Sequence, residues 1–307
     1  MRPWIPLPHD PIEKLEENLW TVEGMLPRGP LRRRMMIARY RDGRLAFLNA
    51  VPLREEAMRD IEHWGTPEFL VVPNGFHRLD LQPYKTRYPK LQVICGPASA
   101  PRVSQVVSVD GGFDRLPREP DLRIERLDGT KVDEPYARAS GTLCIPGDAI
   151  FNVPRLPGIG GLVLRLAGSA GSPRVTRIAR LFVVGDRARL RDQFSRLAAE
   201  PGLSRIAVCH GQTIRERAPE VLREIASALE LERIASRPDS GPRGDPYRRI
   251  RTRPFRWACR GPSARRIRFL PCTDTPGCRS RCSRTRRRRA TLYSPSPTCA
   301  ARCRPPR

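Results

Sequence analysis

Three apolar segments that end in polar turns constrain the fold of this chain more than any other feature of its sequence. Each segment has the length and composition of a buried strand, and the turns that follow are Asn74-Gly75-Phe76-His77, Gly147-Asp148 and His210-Gly211. In α/β folds, the side chains that follow the ends of strands form the binding and catalytic sites. The chain has only four histidines, and two of them lie in these turns. We therefore expect the turns to carry the chemistry of the protein.

Charge and composition divide the chain into a body and a tail. The formal net charge is +25, but the segment from Pro238 to Arg307 alone holds 20 Arg, no Lys and three acidic residues. That segment has neither helical nor strand periodicity and too little apolar surface to offset the entropy of ordering. We predict a folded domain over residues 10–236 and a disordered Arg/Pro/Cys-rich tail over 237–307. A shifted reading frame in GC-rich DNA would give the same tail composition, and this alternative stays open.

The cysteines and the N-terminus indicate a soluble cytoplasmic protein. Cys95, Cys144 and Cys209 are the only cysteines of the body, and each lies in an apolar run, which favours buried reduced thiols over a disulfide framework. The N-terminus lacks the apolar segment of a signal peptide. No run approaches the ~18 apolar residues of a membrane-spanning helix. We therefore expect no membrane partner.

Periodicity predicts strands in the first half of the chain and helices in the second. Asp42-Gly43 between two apolar runs is typical of a hairpin. Residues 53–64 have helical spacing, with Gly65 as a left-handed cap. Residues 105–127 are predicted as two or three short strands, and the glycines of residues 158–161 as a flexible connection. Helices are expected from Asp186-Arg187 to residue 199 and from Pro219 onward, separated by a strand over 206–209. This order favours sheets layered with helices outside.

The three turns supply side chains that bind borderline metal ions. His77 and His210 offer imidazole nitrogens and Asp148 offers a carboxylate. Gly147 and Gly211 would let a ligand or another backbone approach closely. The three residues lie far apart in sequence, so their spacing does not show that they converge. Each also has a structural alternative: a histidine bonded to backbone at a strand end, an aspartate that caps a turn, and a core histidine.

Four segments together resemble the metallo-β-lactamase-like superfamily: residues 18–24, 71–77, 140–148 and 208–211. The resemblance implies an α/β (α+β) fold, an αββα sandwich of two mixed sheets with a metal site at one edge. The family's motif His-x-His-x-Asp-His has only Asn74, His77 and Asp80 as counterparts. The family's histidine before the Gly-Asp turn is absent, because no histidine lies between His77 and His210. The branch is therefore divergent, with an incomplete ligand set.

The position of His77 in that motif decides what the remaining ligands can do. If it is the last motif histidine, then His77, Asp148 and His210 could hold one Zn or Fe ion. If it is another, the three residues are divided between two half-empty sites, and no metal is then expected to bind.

The resemblance implies a metal-dependent hydrolase. A bound Zn²⁺ or Fe²⁺ lowers the pKa of water from 15.7 to about 7, and Asp148 would be both a ligand and the catalytic residue that orients this water. The substrate would be an unidentified small molecule with an ester, thioester, lactone or phosphoester bond. One alternative is a catalytically inactive relative that serves as a binding or scaffold protein. Another is association with nucleic acid through the Arg-rich tail. The sequence leaves the substrate and the oligomeric state open.

Overall fold

The structure is a computed structural model that describes residues 3–166 and 168–235. The body predicted for residues 10–236 falls almost wholly within these ranges. The tail predicted for residues 237–307, with its proposed role in nucleic-acid binding, lies outside the described residues. Among the described helices, none is both long enough and apolar enough to cross a bilayer.

The first sheet contains six strands that lie side by side in the order in which they occur in the chain. They are β1 (Glu13–Glu16), β2 (Leu19–Met25), β3 (Arg32–Arg39), β4 (Arg44–Leu48), β5 (Thr66–Val72) and β6 (Gln92–Cys95). Strands β1 to β4 are antiparallel, and the β3–β4 connection contains the predicted Asp42-Gly43 turn, with Gly43 at φ +84°. Strands β4, β5 and β6 are parallel. Their crossovers contain α1 (Glu55–Trp64) and α2 (Leu81–Arg87).

The second sheet is built from the later part of the chain. The remaining strands are β7 (Leu122–Arg126), β8 (Pro135–Ala139), β9 (Thr142–Ile145), β10 (Phe151–Asn152), β11 (Arg205–Val208) and β12 (His210–Gly211). The sheet has the order β11-β9-β8-β7, with β11 and β9 parallel and the other pairs antiparallel. Strands β10 and β12 form a separate parallel pair. The helices are α3 (Ala100–Val103), α4 (Gly158–Leu166), α5 (Arg177–Phe182), α6 (Arg187–Ala199) and α7 (Ala218–Ala235).

Three buried apolar layers show that the two sheets form a sandwich with helices on both outer faces. Because side chains alternate along a strand, Val71 points between the sheets while Leu70 and Val72 point outward. The layer between the sheets joins β1 to β6 with β7, β8, β9 and β11. A second layer packs the first sheet against α1 and α2, and a third packs the second sheet against α5, α6 and α7. The αββα sandwich predicted from the sequence is confirmed.

The predicted left-handed cap at Gly65 is wrong. Gly65 follows α1 with φ −175°, which is extended backbone. A side chain at this position would collide with the carbonyl oxygen of Gly43 and with the side chain of Leu45. The glycine is therefore required by close packing against the β3–β4 turn and not by its own backbone angles.

Two further sequence predictions are corrected by the structure. Within residues 105–127 the only strand is β7, and the segment before it contains a 3₁₀ turn at Phe113–Arg115. The backbone of that segment is irregular, but apolar residues such as Val107 and Leu116 are still buried. The sequence therefore contains an apolar run although no strand forms. The glycines of residues 158–161, predicted as a flexible connection, form the first turn of α4. Gly160 packs against Pro30 and Gly161 against the backbone of Leu156, so both positions lack room for a side chain.

Candidate metal centre

The polar turns singled out in the sequence meet at one edge of the sandwich. Strands β4, β5, β9 and β11 all end at this edge, and a polar residue follows each of them. These residues are Asn49 after β4, Asn74 and His77 after β5, Asp148 after β9, and Cys209 and His210 after β11. Both sheets therefore contribute to one cluster, as expected where the carboxyl ends of parallel strands meet.

Asp148 lies between the two histidines. Its Oδ2 is 3.0 Å from Nε2 of His77, and its Oδ1 is 3.2 Å from Nε2 of His210. The side chains of His77, Asp148 and His210 are only 8%, 19% and 6% exposed. The structure thus brings together three residues whose convergence the sequence spacing could not show.

A backbone carbonyl sets the tautomer of His210. Its Nδ1 is 2.6 Å from the carbonyl oxygen of Arg32, which can only accept a hydrogen bond. Nδ1 therefore carries a proton and donates it. In the neutral ring, Nε2 then has a lone pair, and this lone pair points toward Asp148.

Asn49 sets the tautomer of His77 in the same way. The amide nitrogen of Asn49 donates to the carbonyl oxygen of Arg34 at 2.9 Å, and it lies 3.3 Å from Sγ of Cys209. This contact orients the amide so that Oδ1 of Asn49 faces Nδ1 of His77 at 3.1 Å. Since Oδ1 can only accept, Nδ1 of His77 donates and its Nε2 also presents a lone pair to Asp148.

Two imidazole lone pairs thus face the two oxygens of one ionised carboxylate, and all of these groups are acceptors. Such an arrangement is repulsive unless protons or a cation lie between the groups. A tetrahedral Zn²⁺ ion binds imidazole nitrogen and carboxylate oxygen at about 2.0–2.2 Å, which separates two neighbouring ligand atoms by about 3.3–3.6 Å. The nitrogen–oxygen distances of 3.0 and 3.2 Å are somewhat shorter than this spacing, and they go to different oxygens of Asp148. The donor types at this edge, imidazole nitrogen and carboxylate oxygen, are those that Zn²⁺ binds, so the residues fit such an ion by their chemistry.

Cys209 adds a donor of the type that zinc prefers. One ligand atom each from His77, Cys209 and His210 lie within 4.8 Å of one another. The thiol is fully buried at the end of β11, in agreement with the prediction of a buried reduced cysteine. The sequence interpretation missed its place beside the histidines. Its position directly before His210 at a strand end was the available signal.

Glu134 is a second acidic residue that the sequence interpretation did not identify. Its carboxylate is completely buried behind Asp148 and accepts hydrogen bonds from Asn74 Nδ2 at 2.6 Å and from the backbone nitrogens of Asp148 at 2.9 Å and Ala149 at 3.0 Å. Burial and the neighbouring charge of Asp148 raise the pKa of Glu134 to about 8. Asn74 also donates to Asp148 Oδ2 at 3.1 Å, so the amide joins the two acids.

Burial and neighbouring groups act in opposite directions on the pKa values of Asp148 and His210. Burial alone would raise the pKa of Asp148, but the nearby imidazoles of His77 and His210 hold it well below its usual value. Burial alone would lower the pKa of His210, but Cys209 and Asp148 raise it well above its usual value. Both shifts favour a carboxylate that stays ionised at the centre of the cluster.

The glycines of the polar turns are explained by backbone and acid packing, and not by the approach of a ligand. A side chain at Gly147 would collide with the carboxyl group of Glu134. Gly211 has φ +102°, and a side chain there would collide with the backbone of Asn152 on the paired strand β10. Asp80, the other acidic residue of the β5 motif, forms a buried ion pair with Arg33.

No family model matches this chain, and no curated protein matches it. Solved structures do match it. Three of them are metallo-β-lactamases. The DIM-1 enzyme exposed to ceftazidime is 12% identical with a TM-score of 0.49, and the alignment covers 73% of this chain and 99% of that enzyme. The mono-zinc form of FIM-1 from Pseudomonas aeruginosa is 12% identical with a TM-score of 0.49, covering 74% and 98%.

A third match, a metallo-β-lactamase from Hirschia baltica, is 11% identical with a TM-score of 0.48, covering 72% of this chain and 98% of that one. These proteins carry the family name that the sequence motifs resemble. The evidence for the αββα sandwich is the chain's own sheets and core, as described above.

Proposed function

We propose that this protein binds one divalent transition-metal ion, Zn²⁺ or Fe²⁺, and is a metal-dependent hydrolase. The observation that carries the proposal is the convergence of Nε2 of His77 and Nε2 of His210 on the buried carboxylate of Asp148, at 3.0 and 3.2 Å. His77, Asp148 and His210 would hold the ion, and Cys209 is available as a further donor. The proposed substrate has an ester, thioester or phosphoester bond.

When such an ion is bound, it supplies Lewis-acid chemistry and lowers the pKa of a water molecule from 15.7 to about 7. The chain's own residues have separate tasks. Arg32 and Asn49 hold the two imidazole rings with Nε2 turned toward Asp148, which is the arrangement found around metal-binding histidines. Asp148 also lines a cavity, so its carboxylate can accept a hydrogen bond from a water molecule that enters there and orient it.

The first test is the metal content of the full-length chain. We expect about one Zn or Fe per chain by inductively coupled plasma mass spectrometry after reconstitution of chelator-treated protein. Asp148→Asn and His210→Ala should lower the affinity by roughly 100-fold or more, because even changes to residues that only support metal ligands cost 10- to 100-fold. His63→Ala is the matched control, since His63 is an exposed histidine on α1.

If the wild type, the two site variants and the His63→Ala control bind metal equally, the metal is bound elsewhere on the protein surface. That result would contradict the proposal. If the wild type binds no metal after reconstitution, the proposal is wrong. If metal binds, chromogenic carboxylic esters, thioesters and phosphoesters are then tested for hydrolysis. Adding the metal should restore hydrolysis of these substrates in the metal-free wild type. It should not restore hydrolysis in Asp148→Asn.

The same cluster also supports a second candidate function, a metal-free protein that binds a partner or ligand without catalysis. The raised pKa of His210 allows a proton, instead of a metal, to bridge its contact with Asp148. In that form the carboxylate is neutralised within the protein and needs no ion. The metal titration separates the two candidates, because only the hydrolase requires the ion.

A further inference from the structure

An apolar cavity opens beside the proposed metal centre, and we propose that it binds the hydrocarbon chain of an acyl substrate. Its volume is about 290 Å³, close to the lower limit for ligand pockets. The reaction assigned to this substrate rests on the proposed function. The binding of the chain does not, and it can be tested alone.

The lining of the cavity is apolar except for Ser169 and one pair of charged groups. Residues from several elements, among them Leu31, Phe151 and Leu164, form its walls. The charged groups that reach it are Asp148 and His210, which are 3.2 Å apart and therefore form a single polar spot. A lining of this kind suits a ligand that is an uncharged chain with one polar end. A charged group elsewhere on the ligand would lose its hydration in the cavity without gaining a partner.

Large apolar side chains stand half-exposed at the border of this cavity. Phe76 is 49% exposed, Ile178 is 52% exposed and Phe182 is 49% exposed. The rings of Phe76 and Phe182 meet edge to face with their centroids 6.4 Å apart. Exposed apolar patches of this kind mark binding sites, because a bound apolar group removes their surface from water.

The size and polarity of the cavity define the substrate class. A methylene group occupies about the same volume as a water molecule, about 30 Å³. The cavity therefore holds on the order of ten methylene groups. The carbonyl end of such a chain would then lie at Asp148 and His210. In the hydrolysis, water adds to the carbonyl carbon, the bond to the ester oxygen or thioester sulfur breaks, and a carboxylic acid and an alcohol or thiol leave. No further reactant is needed.

The test uses straight-chain primary alcohols from butanol to decanol, which have no bond to hydrolyse. Their affinity for the full-length chain is measured by isothermal titration calorimetry, with and without Zn²⁺. We expect the affinity to rise about fourfold for each added methylene group and to level off when the cavity is full. An affinity that does not depend on chain length would overturn the proposal.

Two tryptophan variants of α5 show whether the alcohols occupy this cavity. Ile178→Trp narrows a border that Ile178 helps to form, and it should weaken the binding of the longest alcohol by about tenfold and move the plateau to shorter chains. Leu181→Trp is the matched control, because Leu181 is 64% exposed on the same helix and is not among the residues that line the cavity. Equal effects of the two variants would contradict the assignment.

The outcome is distinguishable from that of the metal experiment. One possible result is that the alcohols bind with an affinity that depends on chain length, that Ile178→Trp weakens this binding, and that the protein hydrolyses no ester. This result would support the cavity assignment and refute the hydrolase. Hydrolysis that is equal for acetyl and octanoyl esters, with no binding of alcohols, would support the hydrolase and refute the cavity assignment.

Discussion

Two neighbouring regions of this protein distribute polar and apolar residues in opposite ways. At the edge of the sheets, Asn49, Asn74, Glu134 and His210 are polar and buried. In the segment from Ala149 to Gly185, which contains α4 and α5, many large apolar side chains are exposed: Ile159, Leu162, Val163, Leu166, Ile178, Leu181 and Phe182. That segment also has five Arg and no acidic residue. Both distributions are unusual for a protein that has only a structural task.

The comparison teaches where single substitutions should matter. Each polar group at the sheet edge has a specific partner at hydrogen-bond distance, so removing or displacing one leaves another buried and unsatisfied. The exposed apolar side chains of α4 and α5 gain little from the fold itself. The first region should therefore lose stability or metal affinity on mutation, while the second should lose only ligand binding.

The largest effect is expected for Gly147→Ala. The new methyl group would displace the buried carboxylate of Glu134 from its three hydrogen bonds. Overpacking and the unsatisfied groups together should lower the free energy of unfolding by about 2–4 kcal/mol, measured by urea denaturation.

Gly75→Ala is the control for this variant, since it lies in a polar turn of the same site. Its methyl group would come nearest to the side chain of Arg102, with Cδ at 2.8 Å and Cβ at 3.0 Å, and most of this long side chain can shift more readily than the buried carboxyl group of Glu134. If Gly75→Ala were as destabilising as Gly147→Ala, crowding of Glu134 would not be the reason for the glycine at position 147.

A smaller effect is expected for Asn49→Ala, and it should appear in metal affinity. Asn49 accepts from Nδ1 of His77 and has φ +69°, a conformation that asparagine tolerates better than most residues. Without its amide, the tautomer and orientation of His77 are no longer fixed, and the affinity for Zn²⁺ should fall by roughly 10- to 100-fold. Competition with a chromogenic chelator measures this change. An unchanged affinity would show that Asn49 does not position a metal ligand.

The smallest effect is expected for Ile159→Ser on α4. Ile159 is 83% exposed, so its replacement should change the free energy of unfolding by no more than about 0.5 kcal/mol. A loss above about 1 kcal/mol in urea denaturation would show that this face of α4 is covered in the free protein, and the contrast between the two regions would then fail.

Much of the architecture was predictable because it follows from local patterns. The continuous apolar run Leu70-Val71-Val72 predicts a strand buried on both faces, and Asp42-Gly43 predicts the turn that the structure shows. Asp186 begins α6 as expected, since its Oδ1 accepts from the backbone nitrogens of Ala188 and Arg189. The irregular segment before β7 was not predictable in this way, because its apolar residues are buried without a regular period.

The candidate site was predictable only in part. His77, Asp148 and His210 stood out because polar residues that follow apolar runs are visible in one dimension. Glu134 and Asn49 did not stand out, since their importance comes from partners that are distant in sequence: Asn74 lies 60 residues from Glu134, and Cys209 lies 160 residues from Asn49.

The sequence by itself determined most of the strands and helices, where each polar turn follows a strand, and which residue types are available to bind a metal. These properties depend on the period of apolar residues and on the conformations of single residues. Only the tertiary structure decided that the turns meet around Asp148, that Glu134 lies behind it, and that α4 and α5 leave an apolar cavity beside it. Such features depend on how two sheets pack, and packing joins residues whose separation along the chain carries no local signal.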